Sequence, residues 1–171
     1  GLDNVPAKFW KALFCTAGPA ATWATEFCKL CWEGKAVPEI WHMSRVMAIF
    51  KKSDPAQCEN YRPISLSTVG YKLFATVLLQ RLKDAGAEGR IWPTQFGFKS
   101  NSGTSDALFL ARRLIEEACE SKGGSAVLLA LDWAKAFDSL DPSALKRALV
   151  RFGIPRPFVD MVNGIYSDRR F

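Results

Sequence analysis

Apolar and polar positions alternate along this chain in ways that predict most of its elements. Trp23, Phe27, Leu30 and Cys31 repeat at helical spacing, predicting a helix from Pro19 to Glu33 that Gly34 ends. Arg45 to Phe50 (RVMAIF) is a short run of β-formers, followed by the basic turn Lys51-Lys52-Ser53-Asp54-Pro55. Tyr61 to Leu66 then reads as the returning strand of a hairpin. Leu73, Phe74, Val77, Leu78 and Leu82 predict a helix closing near Gly86. Ile91 to Ser102, rich in Pro, Gly and aromatics, reads as a loop. Leu108, Ala111, Ile115 and Ala118 share one face of the next helix, whose other face offers the pairs Arg112–Glu116 and Arg113–Glu117. After the Gly123-Gly124 break, Ala126 to Leu131 (AVLLAL) is expected to be a central strand buried on both faces. Asp141 suits an N-cap with Pro142 at the first helical position. Leu145, Ala148, Leu149 and Phe152 form that helix's stripe, and Gly153 stops it. Phe158, Val159, Val162 and Ile165 predict a last helix. The order is mixed, so the expected class is α+β.

Composition narrows the field. With 49% hydrophobic and 23% charged residues, the 171-residue chain reads as globular rather than disordered. Its net charge of +6 and pI near 9.2 favour a polyanionic partner. The basic excess is larger before Ala85 than after it. Five cysteines at irregular spacing do not form a disulfide framework, and reduced thiols suit an intracellular compartment. Cys28 and Cys31 make a lone C-x-x-C inside an apolar helical stretch, with only His42 and Cys58 near in sequence, so core packing is the reading rather than zinc. Trp10, Trp23, Trp32, Trp41, Trp92 and Tyr166 read as packing residues. No apolar run reaches the ~18 residues that cross a bilayer, and no signal peptide is visible. A chain beginning Gly1-Leu2-Asp3 without Met reads as an excerpt. His42 is the only histidine, and no Ser-His-Asp or Cys-His machinery is read around it.

Chemistry concentrates at Asp132, directly after the AVLLAL run. A carboxylate fixed at the end of a core strand suits coordination of a hard cation such as Mg²⁺. In that position alone, a turn or capping aspartate is the ordinary reading. Two features shift it: Asp138 and Asp141 follow within nine residues, making an acidic segment in a basic protein, and the string Asp132-Trp133-Ala134-Lys135-Ala136-Phe137-Asp138 is too particular for a generic turn.

That string resembles the first catalytic block (motif A) of reverse transcriptases, in the form typical of non-LTR (LINE-type) retrotransposons. Lys51-Lys52-Ser53-Asp54-Pro55 with Asn60-Tyr61-Arg62-Pro63-Ile64-Ser65-Leu66 resembles the fingers motif of the same family. Gln95-Phe96-Gly97-Phe98 resembles the next block, and Asp3-Asn4-Val5-Pro6 with Phe9-Trp10-Lys11 the lead-in. Four blocks in family order cover nearly the whole chain. The resemblance implies a right-hand polymerase fold: a fingers region over 1–98, then the first part of a palm over 99–171. It implies RNA-directed DNA synthesis by two-metal nucleotidyl transfer, with two Mg²⁺ ions, Asp132 bridging them and the Trp133 backbone carbonyl as a further ligand. Arg62 matches the triphosphate-binding arginine, and Lys51 or Lys52 its lysine partner. Phe137, five residues after Asp132 and beside Ala136, matches the aromatic that packs under the sugar and excludes a 2′-hydroxyl. Gln95, Phe96, Gly97 and Phe98 match the segment that approaches the template. Implied partners are an RNA template, a DNA primer and deoxynucleoside triphosphates, in nucleus and cytoplasm, with no membrane.

The family's second carboxylate block, an aromatic-Ala-Asp-Asp turn, has no counterpart here, since the chain contains no Asp-Asp pair. The fragment by itself is expected to be inactive and to expose apolar surface and strand edges. The nearest alternatives are an RNA-dependent RNA polymerase, in which Asp138 would recognise the 2′-hydroxyl, and a group II intron maturase. Of another class is a non-catalytic RNA-binding domain, or a pseudogene relic, that keeps the polymerase scaffold.

Overall fold

A computed structural model of the chain describes residues 2–15 and 18–167. Among the described residues, six α-helices and one two-stranded sheet follow in the order α1 (Ala7–Cys15), α2 (Pro19–Gly34), β1 (Arg45–Phe50), β2 (Tyr61–Leu66), α3 (Val69–Asp84), α4 (Thr104–Glu120), α5 (Pro142–Arg151) and α6 (Arg156–Tyr166). Short 3₁₀ turns at Glu39–His42, Cys58–Asn60 and Ala87–Arg90 punctuate them. The mixture of helix and small sheet agrees with the α+β expectation.

The chain divides into two compact units, one of residues 1–78 with 141–171 and the other of residues 79–140. This division follows packing, whereas a fingers–palm boundary follows motif order. All buried residues of the described chain belong to the first unit. Trp41 is its hub. Its ring meets Phe27 and Phe74 with centroids 5.8 Å away, and Tyr71 at 6.3 Å, mostly edge-on as ring quadrupoles prefer. Phe74 and Leu78 bring the first half of α3 into this core, and Ala24 and Cys31 bring α2. Helix α6 contributes Phe158, Val159, Met161 and Ile165, with Trp32 of α2 edge-on to Phe158 at 5.8 Å. Each such side chain, fully buried, contributes on the order of 1.5–3 kcal/mol.

Backbone geometry decides two contacts in this unit. Helix α2 ends at Lys35, a non-glycine residue in the left-handed region (φ 48°) whose amide donates to the carbonyls of Cys31 and Trp32. Gly164 of α6 lies so close to the Lys35 carbonyl that any Cβ would collide with it. Gly70, in the first turn of α3, is flanked by the rings of Trp10 and Trp41. At the N-terminus of α5, Asp141 caps as expected, accepting from the amides of Ser143 (3.0 Å) and Ala144 (3.1 Å). Ser143 Oγ also donates to it at 2.8 Å. These bonds hold the Asp141 carboxyl below its ordinary value, the Ser143 hydroxyl contributing most.

The second unit contains no buried residue. Ala126–Leu131 is the main departure from expectation: it forms no strand, and Val127 is 96% and Leu131 80% exposed. A central strand needs a neighbour on each edge, and the two strands among the described residues pair with one another. An apolar run records a demand for burial; it does not supply the partner. On α4, Arg112 pairs with Glu116 as expected (2.7 Å), but Arg113 also turns to Glu116 (2.8 Å) instead of Glu117. Trp23 and Trp92, read as packing residues, are exposed, although Trp23 stacks on Phe27 at 5.5 Å. Tyr166 is half-buried, and the C-x-x-C pair packs as expected, with Cys31 buried and Cys28 partly so. Burial raises both thiols above their ordinary value.

A Cβ at Gly70 would lie 2.9 Å from the Trp10 ring and 3.0 Å from that of Trp41. With two indole rings crowded at once, Gly70→Ala is expected to incur an overpacking cost of about 2–3 kcal/mol. Set against the ~1 kcal/mol that alanine gains over glycine in a helix, the net destabilisation is about 1–2 kcal/mol. Urea denaturation checks it; a midpoint unchanged or raised would contradict this packing.

Candidate active site

The hairpin carries the cationic candidates. Strands β1 and β2 run antiparallel, with Arg45 opposite Leu66, Ile49 opposite Arg62 and Phe50 opposite Tyr61. The Lys51 amide donates to the Asn60 carbonyl at 2.8 Å, extending the pairing by one residue. Side chains alternate between faces, so Ile49, Lys51 and Arg62 share one face while Lys52 falls on the opposite parity, in the turn. Lys51, Lys52 and Arg62 are all exposed and make no ion pair among the described residues. The register thus brings together Lys51 and Arg62 as diagonal neighbours and leaves Lys52 apart.

The loop joining the strands is tied by its own side chains. Asp54 Oδ1 accepts from the Ala56 amide at 2.9 Å, an Asx turn. Asn60 Nδ2 donates to the Asp54 carbonyl at 2.8 Å, and the Tyr61 hydroxyl donates to that of Pro55 at 3.0 Å. Ser53 takes a left-handed conformation (φ 76°) to start the turn. These bonds assign structural work to Asp54, Asn60 and Tyr61. The motif showed their letters without their function, although Ser-Asp-Pro is a recognisable turn signal.

The aromatic loop and the Asp132 segment both belong to the second unit. Gln95 Nε2 donates to the Gly97 carbonyl at 3.0 Å, and the Gln95 amide to that of Trp92 at 3.0 Å. The space over Gly97 is open: only the Gln95 amide group comes within 4 Å of where a side chain would begin. Phe96 is half-buried, whereas Phe98 is exposed and left-handed (φ 60°), a conformation rare for a bulky residue. Ser100 anchors the far end of the loop. Lys83 Nζ donates to Ser100 Oγ (2.9 Å), Ser100 Oγ donates to Glu88 Oε1 (2.8 Å), and Lys83 pairs with Glu88 at 3.1 Å. Nothing in the sequence pattern marked this triad, because its members are 5 to 17 residues apart on three different elements.

Asp132, Trp133, Ala136 and Phe137 are exposed on a segment that turns through residues 134–139. The Ser139 amide closes that turn on the Lys135 carbonyl at 2.9 Å, with Lys135 left-handed (φ 50°). Phe137 meets Phe98 edge-to-face, centroids 6.3 Å apart and planes at 89°. The sugar-gate candidate and the template-loop candidate therefore touch. Asp141, counted with Asp132 in the acidic segment, spends both oxygens on the cap of α5. Among the described residues no three His, Cys, Asp or Glu side chains gather as a metal-binding group. Asp132 is the right kind of donor for a divalent cation, but no such group of three or more forms around it among the described residues.

Residues 49–171 match the family pattern described as "Reverse transcriptase (RNA-dependent DNA polymerase)". This chain belongs to the reverse transcriptase family. It is 30% identical over 136 residues to the "Probable RNA-directed DNA polymerase from transposon BS" of Drosophila melanogaster, covering 78% of this chain and 15% of that protein. It is 31% identical over 170 residues to the "Transposon TX1 uncharacterized 149 kDa protein" of Xenopus laevis, covering 98% of this chain and 12% of that protein. A third relative is the "Retrovirus-related Pol polyprotein from type-1 retrotransposable element R2" of Popillia japonica, 31% identical over 132 residues, 77% of this chain and 18% of that protein. The chain is of the non-LTR retrotransposon type, as the motifs implied. It spans less than a fifth of the length of these relatives. The family is one of nucleotidyltransferases that use divalent metal ions. No helix among the described residues is long and apolar enough to cross a membrane.

The anchor on the aromatic loop has a pH signature. Hydrogen bonds from Ser100 and then Lys83 hold the Glu88 carboxyl below its ordinary value of 4.5. Glu88's contribution is therefore fully present above pH 4.5 and is lost as pH falls below it. Backbone order parameters for residues 95–101 should fall as pH is lowered from 6 to well below 4.5. In Ser100→Ala they should be low throughout; order in the parent unchanged across that range would contradict the anchor.

Proposed function

We propose that this chain is the fingers region and the first part of the palm of a right-hand RNA-directed DNA polymerase from a non-LTR retrotransposon. The fingers span about 1–98 and the palm segment 99–171. In the complete protein a primer 3′-hydroxyl attacks the α-phosphate of a deoxynucleoside triphosphate and releases pyrophosphate, directed by an RNA template. The single observation that best supports this is the hairpin: the family's fingers block supplies Arg62 and Lys51 on one exposed face, with no carboxylate among the described residues in ion-pair range of either. Like charges side by side repel, and a polyanion such as a triphosphate relieves that repulsion. Of the two lysines, Lys51 is assigned to the triphosphate, because it shares the parity of Arg62.

Asp132 is assigned as the first catalytic carboxylate, with the Trp133 carbonyl beside it. Mg²⁺, two ions in the complete enzyme, is the cation whose preference for hard oxygen donors suits that pair. The described residues gather no group of three or more such ligands around Asp132, so the isolated fragment is assigned no activity. Phe137 is assigned to sugar discrimination, with Ala136 next to it against the nucleotide. Gln95, Phe96, Gly97 and Phe98 are assigned to the template side, where open backbone at Gly97 and the exposed ring of Phe98 suit contact with bases.

Steady-state incorporation by the complete polymerase tests the assignment. Arg62→Ala and Lys51→Ala should each lower kcat/KM for deoxynucleotides by roughly 10- to 100-fold, the effect of losing a charge-assisted hydrogen bond. Lys52→Ala should change it by less than about 3-fold. A larger loss from Lys52→Ala than from Lys51→Ala would overturn the register argument. Phe137→Ala should admit ribonucleotides; unchanged discrimination would remove Phe137 from that role.

A further inference from the structure

The contact between Phe98 and Phe137 gives the template-side loop a second task. Phe137 is 81% exposed and Phe98 93% exposed, so neither ring is fixed by a core. Each has the other as its ring neighbour, at 6.3 Å and 89°. An exposed phenyl ring that must define a steric boundary needs something to hold its χ angles, since free rotamers would open and close the gap beneath the sugar. In the second unit the described candidate is Phe98. Its backbone is held off the ordinary regions at φ 60°, and its loop is tied at one end by Gln95 to Gly97 and at the other by the Lys83–Ser100–Glu88 triad. Left-handed geometry at a phenylalanine persists only where surrounding bonds impose it. Phe137 stands on a segment with its own left-handed residue, Lys135 at φ 50°. Two constrained loops thus present two rings to one another.

We infer that Phe98 is a positioning residue for Phe137: by setting the orientation of that ring it helps determine discrimination between deoxyribonucleotides and ribonucleotides. The inference rests on the assignment of Phe137 to sugar discrimination. It differs from a template-stacking role for Phe98, which would act on template affinity and affect both kinds of nucleotide alike.

The complete polymerase, on an RNA template with a DNA primer, separates these cases. The readout is the ratio of kcat/KM for a deoxynucleotide to that for the matching ribonucleotide, with RNA affinity measured in parallel. Phe98→Ala should lower the ratio by about 2- to 10-fold, the strength of an edge-to-face pair. Phe98→Tyr, which keeps the ring, should restore it. In a Phe137→Ala background, Phe98→Ala should lower the ratio no further, because the ring it positions is gone. If Phe137→Ala shifts the ratio and Phe98→Ala does not, Phe98 is no positioning residue and the inference fails while the Phe137 assignment stands. If Phe137→Ala leaves the ratio unchanged, that assignment fails and the inference falls with it. Loss of RNA affinity in Phe98→Ala with an unchanged ratio would make Phe98 a stacking residue and overturn the inference.

Discussion

Burial is distributed unequally in this chain, and that constraint decides what can be precise. Trp41, Phe74, Met161 and their neighbours give the first unit a core. In the second unit no side chain is fully buried, so side chains there are positioned by partial burial, local hydrogen bonds, ion pairs and ring contacts. The lead-in helices, α3 and the α5–α6 pair are held by packing. Glycines at positions 70 and 164 mark where that packing is closest, because a single added carbon at either would meet an indole ring or a backbone carbonyl.

The hairpin shows how a weakly packed element can still be specific. Both faces of β1 and β2 are exposed, and a two-stranded sheet in water is marginal. Its register is pinned from the turn, by Asp54, Asn60 and Tyr61, rather than by a buried face. A slip of one residue would carry Arg62 to the opposite side from Lys51. The turn residues therefore help to set which cations share a face of the hairpin. Ser100, Lys83 and Glu88 stand in the same relation to Phe98.

Much of this was legible in the sequence wherever one short stretch contained both the demand and its answer. The boundaries of β1 and β2 follow from β-formers on either side of a turn. The Asp141 cap with Pro142 and the α6 stripe follow from local rules, although Met161, fully buried on α6, was not picked out from its neighbours. Ala126–Leu131 failed because its apolar character needs a partner strand elsewhere, and periodicity cannot say whether one is present. Trp23 and Trp92 failed for a related reason: large aromatics are buried on average, but position decides each case. At the candidate site, motif spacing singled out Asp132, Arg62 and Phe137 as candidates and treated Lys51 and Lys52 alike; their difference in parity shows only in the cross-strand register. The Phe98–Phe137 contact was out of reach too, since the two rings are 39 positions apart and the motifs placed them on different partners.

Asp132 is where the account is most exposed. Its carboxylate is assigned to chemistry rather than to capping or to folding, and its exposure means that its removal costs the fold little. The direct measurement is primer extension on an RNA template by the complete polymerase carrying Asp132→Ala, with RNA affinity and thermal unfolding measured on the same preparation. The account predicts that DNA synthesis is abolished while RNA affinity and unfolding temperature stay near those of the parent. Persistent synthesis, or a loss of synthesis that merely follows loss of folding or RNA binding, would contradict it.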